Sequence, residues 1–283
     1  MATLVRPMFT RFSIAPLTPR IGAEIEGVDL RRDLSDEVIA EIRQALLTYK
    51  VIFFRDQDIT QEQQIAFGRR FGDLEIHPLT DEDQPNPEIL HIKTGTRVST
   101  AASWHSDVTW REKPPLGSIL RARIMPEVGG DTMWSDQVAA YEGLSPAMKS
   151  WVCTLTALHD GSQFKDRTGG TNESFWADYP IQEHPVVRTH PETGERALYV
   201  NRNFTIGIKG LDEKESRWLL QHLFDQAAKP EFQVRFRWKV NSVAFWDNRS
   251  CQHYAVNDYA PAIRHMERVT IMGDAPFFDP TSR

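Results

Sequence analysis

The sequence predicts a mainly β fold with flanking helices, of the β-sandwich or jelly-roll kind. From about residue 90 onward, short β-prone runs are separated by Pro, Gly and Asn, with few helical segments between them. No glycine-rich dinucleotide or phosphate loop appears, and many short strands argue against a parallel α/β sheet. A chain of 283 residues with 40% hydrophobic residues can bury a substantial core. We therefore expect residues 1–283 to form a single domain, although the length alone would permit two.

The first third of the chain predicts two helices and a strand. Residues 34–56 begin with a candidate N-cap at Ser35, continue with apolar residues at helical spacing and end in the β-prone run Val51–Phe54. A second helix follows, because Thr60 with Gln63 three residues later forms a capping box. These segments predict helix, strand and helix in that order.

The remaining two thirds predict strands with two helical insertions. "HPETGE" lies between "VVRT" and "RALYV" and is a hairpin turn signal. The predicted strands are "SILRARI", "TMW", "HPVVRTHPETGERALYVN", "QVRFRWKVNSVAFWDN" and "ERVTIM", and the predicted helices are "VAAYEGLSPAMKSWV" and "DEKESRWLLQHLFDQAA".

Charge and composition exclude several classes of partner. The net charge of −6 and the pI near 5.9 give no electrostatic footprint for nucleic acid. No stretch approaches the length of a membrane span, and the N-terminus lacks the apolar core of a signal peptide. Cys153 and Cys251 are far apart, which suits a reducing compartment and argues against a thiolate metal site. We expect a cytoplasmic enzyme without a nucleic-acid or membrane partner, and the sequence leaves a homo-oligomer open.

A histidine and an aspartate lie two positions apart in "SWHSDVTW", residues 103–110. The stretch has the composition of a strand, in which His105 and Asp107 would face the same side. One imidazole and one carboxylate can share a metal ion, and a second histidine would complete the 2-His-1-carboxylate face of non-haem Fe(II) sites. The pair alone is weak evidence for a metal site, because a surface His beside a surface Asp is an equally probable explanation by chance.

A later segment supplies a candidate third ligand and two candidate anion receptors. His253 follows from a β-prone run, and Arg264 and Arg268 are four apart in "RHMERVTI". If that segment is a strand, both arginines face one side, where their planar donors could receive carboxylate, sulfonate or phosphate. The alternative is that they pair with Glu267 or Asp258.

These motifs together identify the chain as similar to the taurine dioxygenase family of Fe(II)- and 2-oxoglutarate-dependent oxygenases. The similarity extends over nearly the whole chain through "IGAEIEGVDL", "FGDLEIHP", "WHSDVTW", "GGDTMW", "HPVVRTHPETGERALYVN", "WDNRSCQHYAVNDY" and "RHMERVTIMGD". It implies a double-stranded β-helix, which is a jelly roll with flanking helices. It also implies that His105, Asp107 and His253 are the iron ligands, and that Thr132 and Arg264 hold the distal carboxylate of 2-oxoglutarate. His77 and Arg268 would bind the anionic head of the substrate, and the pocket would be lined by Val108, Trp134 and Phe204.

The alternatives to these roles are structural. His77 and Thr132 could be ordinary loop residues. Trp134 and Phe204 could be core residues, since large aromatic side chains carry much of the burial energy. The other histidines are expected to be structural or surface residues: His91, His159, His184, His190, His222 and His265.

The resemblance implies oxidation of a small anionic substrate with O₂. Fe(II) and 2-oxoglutarate would yield succinate and CO₂, and hydroxylation beside a sulfonate would release sulfite and an aldehyde. Sibling activities on an alkyl sulfate ester or a phenoxyalkanoate stay open, as does a zinc hydrolase with the same three ligands. A jelly roll that binds metal or ligand without turnover is a further alternative.

The chain departs from the taurine-selective pattern in two places. Before the Trp-His-x-Asp motif, Thr100 and Ala101 occupy positions where acidic and amide side chains would hold the ammonium group of taurine, and Lys165 stands in the second amine-contacting segment. A buried ammonium without an anionic partner is costly. We therefore expect taurine to be a poorer substrate than an alkylsulfonate or sulfate ester with an uncharged tail.

Overall fold

In a computed structural model, strands form at the runs predicted from the sequence except at residues 103–110, and strands that were not predicted also form, among them Ser13–Pro16, Ala23–Glu26 and Thr205–Ile208. The structure describes residues 7–77, 80, 83–94, 101–162 and 180–282. The strands are β1 (Ser13–Pro16), β2 (Ala23–Glu26), β3 (Val51–Phe54), β4 (Leu90–Thr94), β5 (Gly117–Ile124), β6 (Thr132–Asp136), β7 (Thr156–His159), β8 (Gln182–Pro185), β9 (Val187–Thr189), β10 (Arg196–Leu198), β11 (Thr205–Ile208), β12 (Gln233–Phe236), β13 (Val243–Asp247), β14 (Cys251–Ala255) and β15 (Arg264–Ile271).

Two sheets face each other and confirm the jelly-roll prediction. The larger sheet has seven strands in the order β1-β2-β3-β13-β5-β15-β4, and its pairings are antiparallel except for β2 with β3. The second sheet has the order β12-β6-β14. Side chains from β3, β5, β13 and β15 pack with side chains from β6 and β12 in one apolar cluster between the two sheets. Smaller sheets, β11-β7-β8 and β10-β9, extend the structure.

Two helices cover the other face of the large sheet. They are α1 (Asp36–Tyr49) and α2 (Gln61–Arg69). In β3, Val51 and Phe53 point into the space between the sheets, whereas Ile52 and Phe54 pack under the helices. Both faces of β3 are therefore buried, which explains its uninterrupted apolar sequence. The predicted capping box at the start of α2 is present, with Gln63 N donating to Thr60 Oγ1 (3.2 Å).

The later helices agree with the sequence except at one break. The segment predicted as one helix from "VAAYEGLSPAMKSWV" forms α3 (Gln137–Glu142) and α4 (Pro146–Val152). The hydroxyl of Ser145 caps α4 by accepting from Met148 N (3.2 Å), so a new helix begins there. The predicted helix at "DEKESRWLLQHLFDQAA" is α5 (Glu213–Ala227). Among the described helices, none has the length and hydropathy needed to cross a membrane.

The predicted strand over residues 103–110 is wrong. His105 makes only an isolated bridge to His253, and a turn follows, closed by Arg111 N donating to Val108 O (3.1 Å). Val108 has φ +53°, in the left-handed region. The side chain of Asn248 causes this departure, because it accepts from Asp107 N (2.7 Å) and donates to Asp107 O (3.0 Å). It thereby takes the backbone groups that a neighbouring strand would otherwise bond.

Candidate functional site

Three side chains from two parts of the chain converge between the sheets. The isolated bridge places His105 beside His253 of β14, and the turn held by Asn248 directs Asp107 toward both. Asp107 Oδ1 lies 3.9 Å from His105 Nε2 and 3.8 Å from His253 Nε2. The candidate ligand atoms all lie within 4.8 Å of one another. The proximity predicted from the sequence is thus present, although it arises from a bridge and a turn rather than from a strand.

The protonation states of these groups suit a divalent metal. Burial lowers the pKa of His253 to about 3, assisted by the neighbouring His105, and burial also lowers the pKa of His105. Burial opposes ionisation of Asp107, but the charge of Arg268 and the two imidazoles hold its pKa well below its usual range. Two neutral imidazoles and one carboxylate are the forms that metal binding requires. Nδ1 of His105 donates to Ser103 O (2.8 Å), which leaves Nε2 as the ligand nitrogen.

Arg264 and Thr132 form a second polar group in the same cavity. Arg264 begins β15, and its guanidinium donates to Thr132 Oγ1 (3.2 Å) and to Gly130 O (3.1 Å). Trp238 Nε1 also donates to Thr132 Oγ1 (2.9 Å). Arg264 is 5% exposed and makes no ion pair with a carboxylate of the described residues. Burial lowers the pKa of Arg264 to about 10, because a charged group is costly to remove from water. A bound anion would offset this cost.

Arg268 points into the same cavity and contacts the candidate metal site directly. Its Nη1 donates to Asp107 Oδ1 at 3.0 Å, and Ser118 Oγ donates to Asp107 Oδ2 at 3.3 Å. Neither Glu267 nor Asp258 is its ion-pair partner in the described structure. The two arginines thus face one side of β15, as predicted.

One cavity connects these groups. Its polar walls contain the three candidate ligands, Thr132 and both arginines, and its other walls are largely apolar or aromatic. The lining residues are Ile92, Thr94, Ala101, His105, Asp107, Leu120, Thr132, Trp246, His253, Ala255, Val256, Asn257, Tyr259, Arg264 and Arg268. Thr94 and Tyr259 are hydrogen-bonded to each other at its wall.

His77 lies half-buried within electrostatic reach of Arg268. Burial lowers its pKa to about 3, and the charges of Arg268 and Arg111 contribute to the lowering. A neutral imidazole can offer a hydrogen bond to an anion without adding a further charge. His77 is not among the residues that line the cavity described above.

The three predicted pocket residues lie in two different environments. Val108 and Phe204 form a small apolar cluster with Trp110, and the ring centroid of Phe204 is 6.3 Å from that of His105. Trp134 is fully buried in the core between the sheets, where its ring centroid is 5.9 Å from that of Trp246. None of these three residues is among those that line the cavity described above.

Two residues near the site were missed by the sequence reasoning. Arg111 Nη1 lies 2.5 Å from Glu75 Oε1, and Glu75 is buried. Burial raises the pKa of Glu75, against the opposing charges of Arg111 and Arg268. The only sequence signal was their position, two residues before His77 and four residues after Asp107. This pair adds a second arginine close to His77.

Comparison with known proteins identifies the family of this chain. A family model described as "Taurine catabolism dioxygenase TauD, TfdA family" matches residues 13–270. An alpha-ketoglutarate-dependent sulfate ester dioxygenase of Pseudomonas putida is 37% identical over 97% of this chain and 94% of its own. An alkylsulfatase of Acinetobacter baylyi is 35% identical over 97% of this chain and 89% of its own. The crystal structure of a taurine dioxygenase from Burkholderia xenovorans superposes with a TM-score of 0.84 at 39% identity, covering 97% of this chain and 95% of that one.

Proposed function

The chain belongs to the TauD/TfdA family of taurine catabolism dioxygenases, and from this we propose that it is an Fe(II)- and 2-oxoglutarate-dependent dioxygenase of a small anionic organosulfur compound. The observation that carries the proposal is one cavity that contains both a 2-His-1-carboxylate group and a buried arginine without a carboxylate partner among the described residues. The first group suits a metal, and the second suits the cosubstrate carboxylate.

His105, Asp107 and His253 would hold Fe(II) through one face of its coordination sphere. Nitrogen and oxygen donors in this 2:1 ratio, with positions left open, are typical of non-haem Fe(II) oxygenases. When bound, iron with 2-oxoglutarate and O₂ supplies the oxidant that hydroxylates a substrate C–H, and succinate and CO₂ are the coproducts. The protein must therefore place that C–H beside the ligands and exclude other reductants.

Arg264 and Thr132 would receive the distal carboxylate of 2-oxoglutarate. The guanidinium and the hydroxyl are already within hydrogen-bond distance of each other, so the pair is preorganised. A carboxylate here would neutralise a buried cation through charge-assisted hydrogen bonds. A receptor for a cosubstrate carboxylate favours an oxygenase over a zinc hydrolase with the same three ligands, since hydrolysis needs no cosubstrate.

Arg268 and His77 would receive the sulfate or sulfonate head of the primary substrate. Arg268 forms an ion pair with Asp107, with Nη1 3.0 Å from Oδ1. A divalent ion on Asp107 would draw on that negative charge and leave the guanidinium free to attract an anion. Metal binding would therefore prepare the substrate site, and the anionic head would lie beside the metal. Val108 and Phe204 would line the neighbouring apolar wall, and Trp134 would support it from the core.

After hydroxylation, the sulfite or sulfate group leaves the substrate carbon without further catalysis. Hydroxylation of the carbon that bears a sulfonate gives a hydroxysulfonate, which separates into an aldehyde and sulfite. Hydroxylation of the carbon that bears a sulfate ester gives an aldehyde and sulfate in the same way. The enzyme therefore needs to break one C–H bond, and the C–S or C–O bond breaks as the carbonyl forms.

An uncharged tail suits the cavity better than the ammonium group of taurine. Ala101 lies in the cavity wall, and Asp107 is the only carboxylate among the described lining residues. Asp107 would be engaged by the metal, so no described carboxylate in the wall would balance an ammonium. Thr100 and Lys165, which entered the same argument from the sequence, lie outside the described residues.

The test is a substrate panel with two products measured together. Purified chain with Fe(II), 2-oxoglutarate and air is given hexyl sulfate, pentanesulfonate, taurine or 2-phenoxypropionate. We expect succinate to form in step with sulfate from hexyl sulfate or with sulfite from pentanesulfonate. Sulfate release without succinate would instead indicate a hydrolase. A clear preference for 2-phenoxypropionate would replace the organosulfur proposal with the phenoxyalkanoate alternative.

A further inference from the structure

We propose a second divalent metal site, formed by His91, His265 and Glu267 on the opposite face of the large sheet from the cavity. Along β15, Arg264 and Arg268 point into the cavity, whereas His265 and Glu267 point away from it. His91 belongs to the edge strand β4 and is paired directly with Glu267. The register of one strand pair therefore brings the three side chains together on one face.

The spacing of the donor atoms is close to what a tetrahedral ion requires. His91 Nδ1 lies 3.1 Å from His265 Nε2 and 4.0 Å from Glu267 Oε1, and all three ligand atoms fall within 4.8 Å of one another. Zinc with ligand bonds of about 2.0–2.1 Å separates neighbouring donors by about 3.3 Å. Small side-chain rotations would therefore suffice.

The carboxylate of Glu267 is built into the structure. It is 4% exposed, and Oε1 accepts a hydrogen bond from Gln61 Nε2 at 2.7 Å, which fixes its position. Oε2 is buried without a hydrogen-bond partner. Arg121 and Arg123 lie 3.9 and 3.7 Å from Oε2, beyond hydrogen-bond distance. Oε2 therefore faces the two arginines, whereas Oε1, which faces His91, accepts the hydrogen bond from Gln61 and has a second lone pair for an ion.

The two imidazoles present nitrogen lone pairs to the same point. Two ring nitrogens 3.1 Å apart can share only one proton, so at least one of them offers a lone pair. Burial and the charge of Lys93 lower the pKa of His265, which favours its neutral, ligating form. His91 is about one-third exposed, so an ion can enter from solvent.

Donor type and nearby charge point to Zn²⁺ as the ion class. Two imidazoles and one carboxylate with a solvent position open suit Zn²⁺. The cations Lys93, Arg121 and Arg123 oppose any ion, so ions with strong imidazole affinity are favoured over Fe²⁺. An ion here would fasten β4, the edge strand, to β15, which carries Arg264 and Arg268.

The test counts Zn²⁺ ions bound per chain by equilibrium dialysis after chelator treatment. We expect the wild-type chain to bind two equivalents, since Zn²⁺ should also bind to the group of His105, Asp107 and His253. Asp107→Ala and His91→Asn should each bind one equivalent, and the double variant none. His222→Asn, on the exposed side of α5, is the matched control and should bind two.

A second readout separates ion binding from loss of fold. Zn²⁺ should raise the unfolding temperature of Asp107→Ala but not of the double variant, because an ion that binds only the native state stabilises it. His91→Asn should keep wild-type turnover with Fe(II). The site is rejected if folded Asp107→Ala binds no Zn²⁺, or if both His91→Asn and His265→Asn keep the second equivalent. Neither result depends on the identity of the organic substrate.

Discussion

Arg268 donates a hydrogen bond from Nη1 to Oδ1 of Asp107, the oxygen that also faces the ring nitrogens of His105 and His253. One carboxylate oxygen thus joins the candidate metal site to the candidate substrate receptor. A cation on Asp107 and an anion on Arg268 would each make the other more favourable, because each removes the compensating charge of its neighbour. We therefore expect substrate binding to depend on the metal.

This coupling is tested by binding measurements without turnover. Under anaerobic conditions, hexyl sulfate should bind the Fe(II)- and 2-oxoglutarate-loaded chain at least about tenfold more tightly than the metal-free chain, corresponding to about 1.4 kcal/mol. Calorimetry gives both constants. Equal affinities in the two states would show that Asp107 and Arg268 act independently.

Removal of any one candidate ligand should abolish turnover. His105→Ala, Asp107→Ala and His253→Ala each leave only two protein donors on the metal. Succinate formation should be lost in all three variants, while circular dichroism shows a retained fold. Asp107→Ala should also lose stability, by up to about 3 kcal/mol, because Arg268 would be left buried without its carboxylate. Near-parental succinate formation in any variant would remove that residue from the ligand set.

The two arginines should have separable defects. Arg264→Ala should raise the KM for 2-oxoglutarate roughly 10- to 100-fold, since a charge-assisted hydrogen bond contributes about 1.5–3 kcal/mol. Arg268→Ala should raise the KM for the organosulfur substrate by a similar factor. Each variant is the control for the other. Equal effects of both variants on both constants would contradict the division of the anion sites.

Introduction of a carboxylate into the cavity wall should change substrate preference. In the wild-type chain, kcat/KM should be higher for pentanesulfonate and hexyl sulfate than for taurine. Ala101→Asp should shift the ratio toward taurine by placing a negative charge near its ammonium group. Ala101→Asn has nearly the same size without the charge and should not shift it. A wild-type preference for taurine would show that another residue supplies the missing charge.

Acid should destabilise the fold through a buried histidine outside the candidate site. His159 is fully buried, and burial together with the neighbouring His184 lowers its pKa well below 6.5. The unfolded chain binds a proton at this residue below pH 6.5 but the native chain does not, so stability present above that pH falls as the pH drops. The expected slope is about 1.4 kcal/mol per pH unit for this residue.

Denaturant unfolding at several pH values measures that slope. His159→Asn should reduce the pH dependence of the unfolding free energy between pH 6 and pH 5 by about 1.4 kcal/mol per pH unit. Thr205→Val removes a hydroxyl 3.5 Å from His159 Nδ1 and should change the stability without changing the slope. An unchanged slope in His159→Asn would mean that His159 is protonated in the native chain.

The sequence could predict what depends on local pattern. The capping box at Thr60 and Gln63 and the apolar strand Val51–Phe54 depend on neighbours along the chain, and both are present. The turn after His105 could not be predicted, because it depends on Asn248, 141 residues away from Asp107.

The same limit applies to the candidate sites. His105, Asp107 and His253 could be brought together only through family resemblance, since no local pattern specifies the bridge between residues 105 and 253. The cluster of His91, His265 and Glu267 depends on the register of β4 against β15, which the sequence does not specify. His91 and His265 were predicted to be structural or surface residues, and the pairing of β4 with β15 was needed to recognise them as part of a candidate metal site.

The most direct test of the central claim is the visible absorption of the anaerobic chain with Fe(II) and 2-oxoglutarate. Chelation of iron by the cosubstrate gives a metal-to-ligand charge-transfer band. We predict that the band appears only when both components are present, is absent in His253→Ala and shifts when hexyl sulfate is added. No band with the folded wild-type chain, or a band that is unchanged in His253→Ala, would contradict the account.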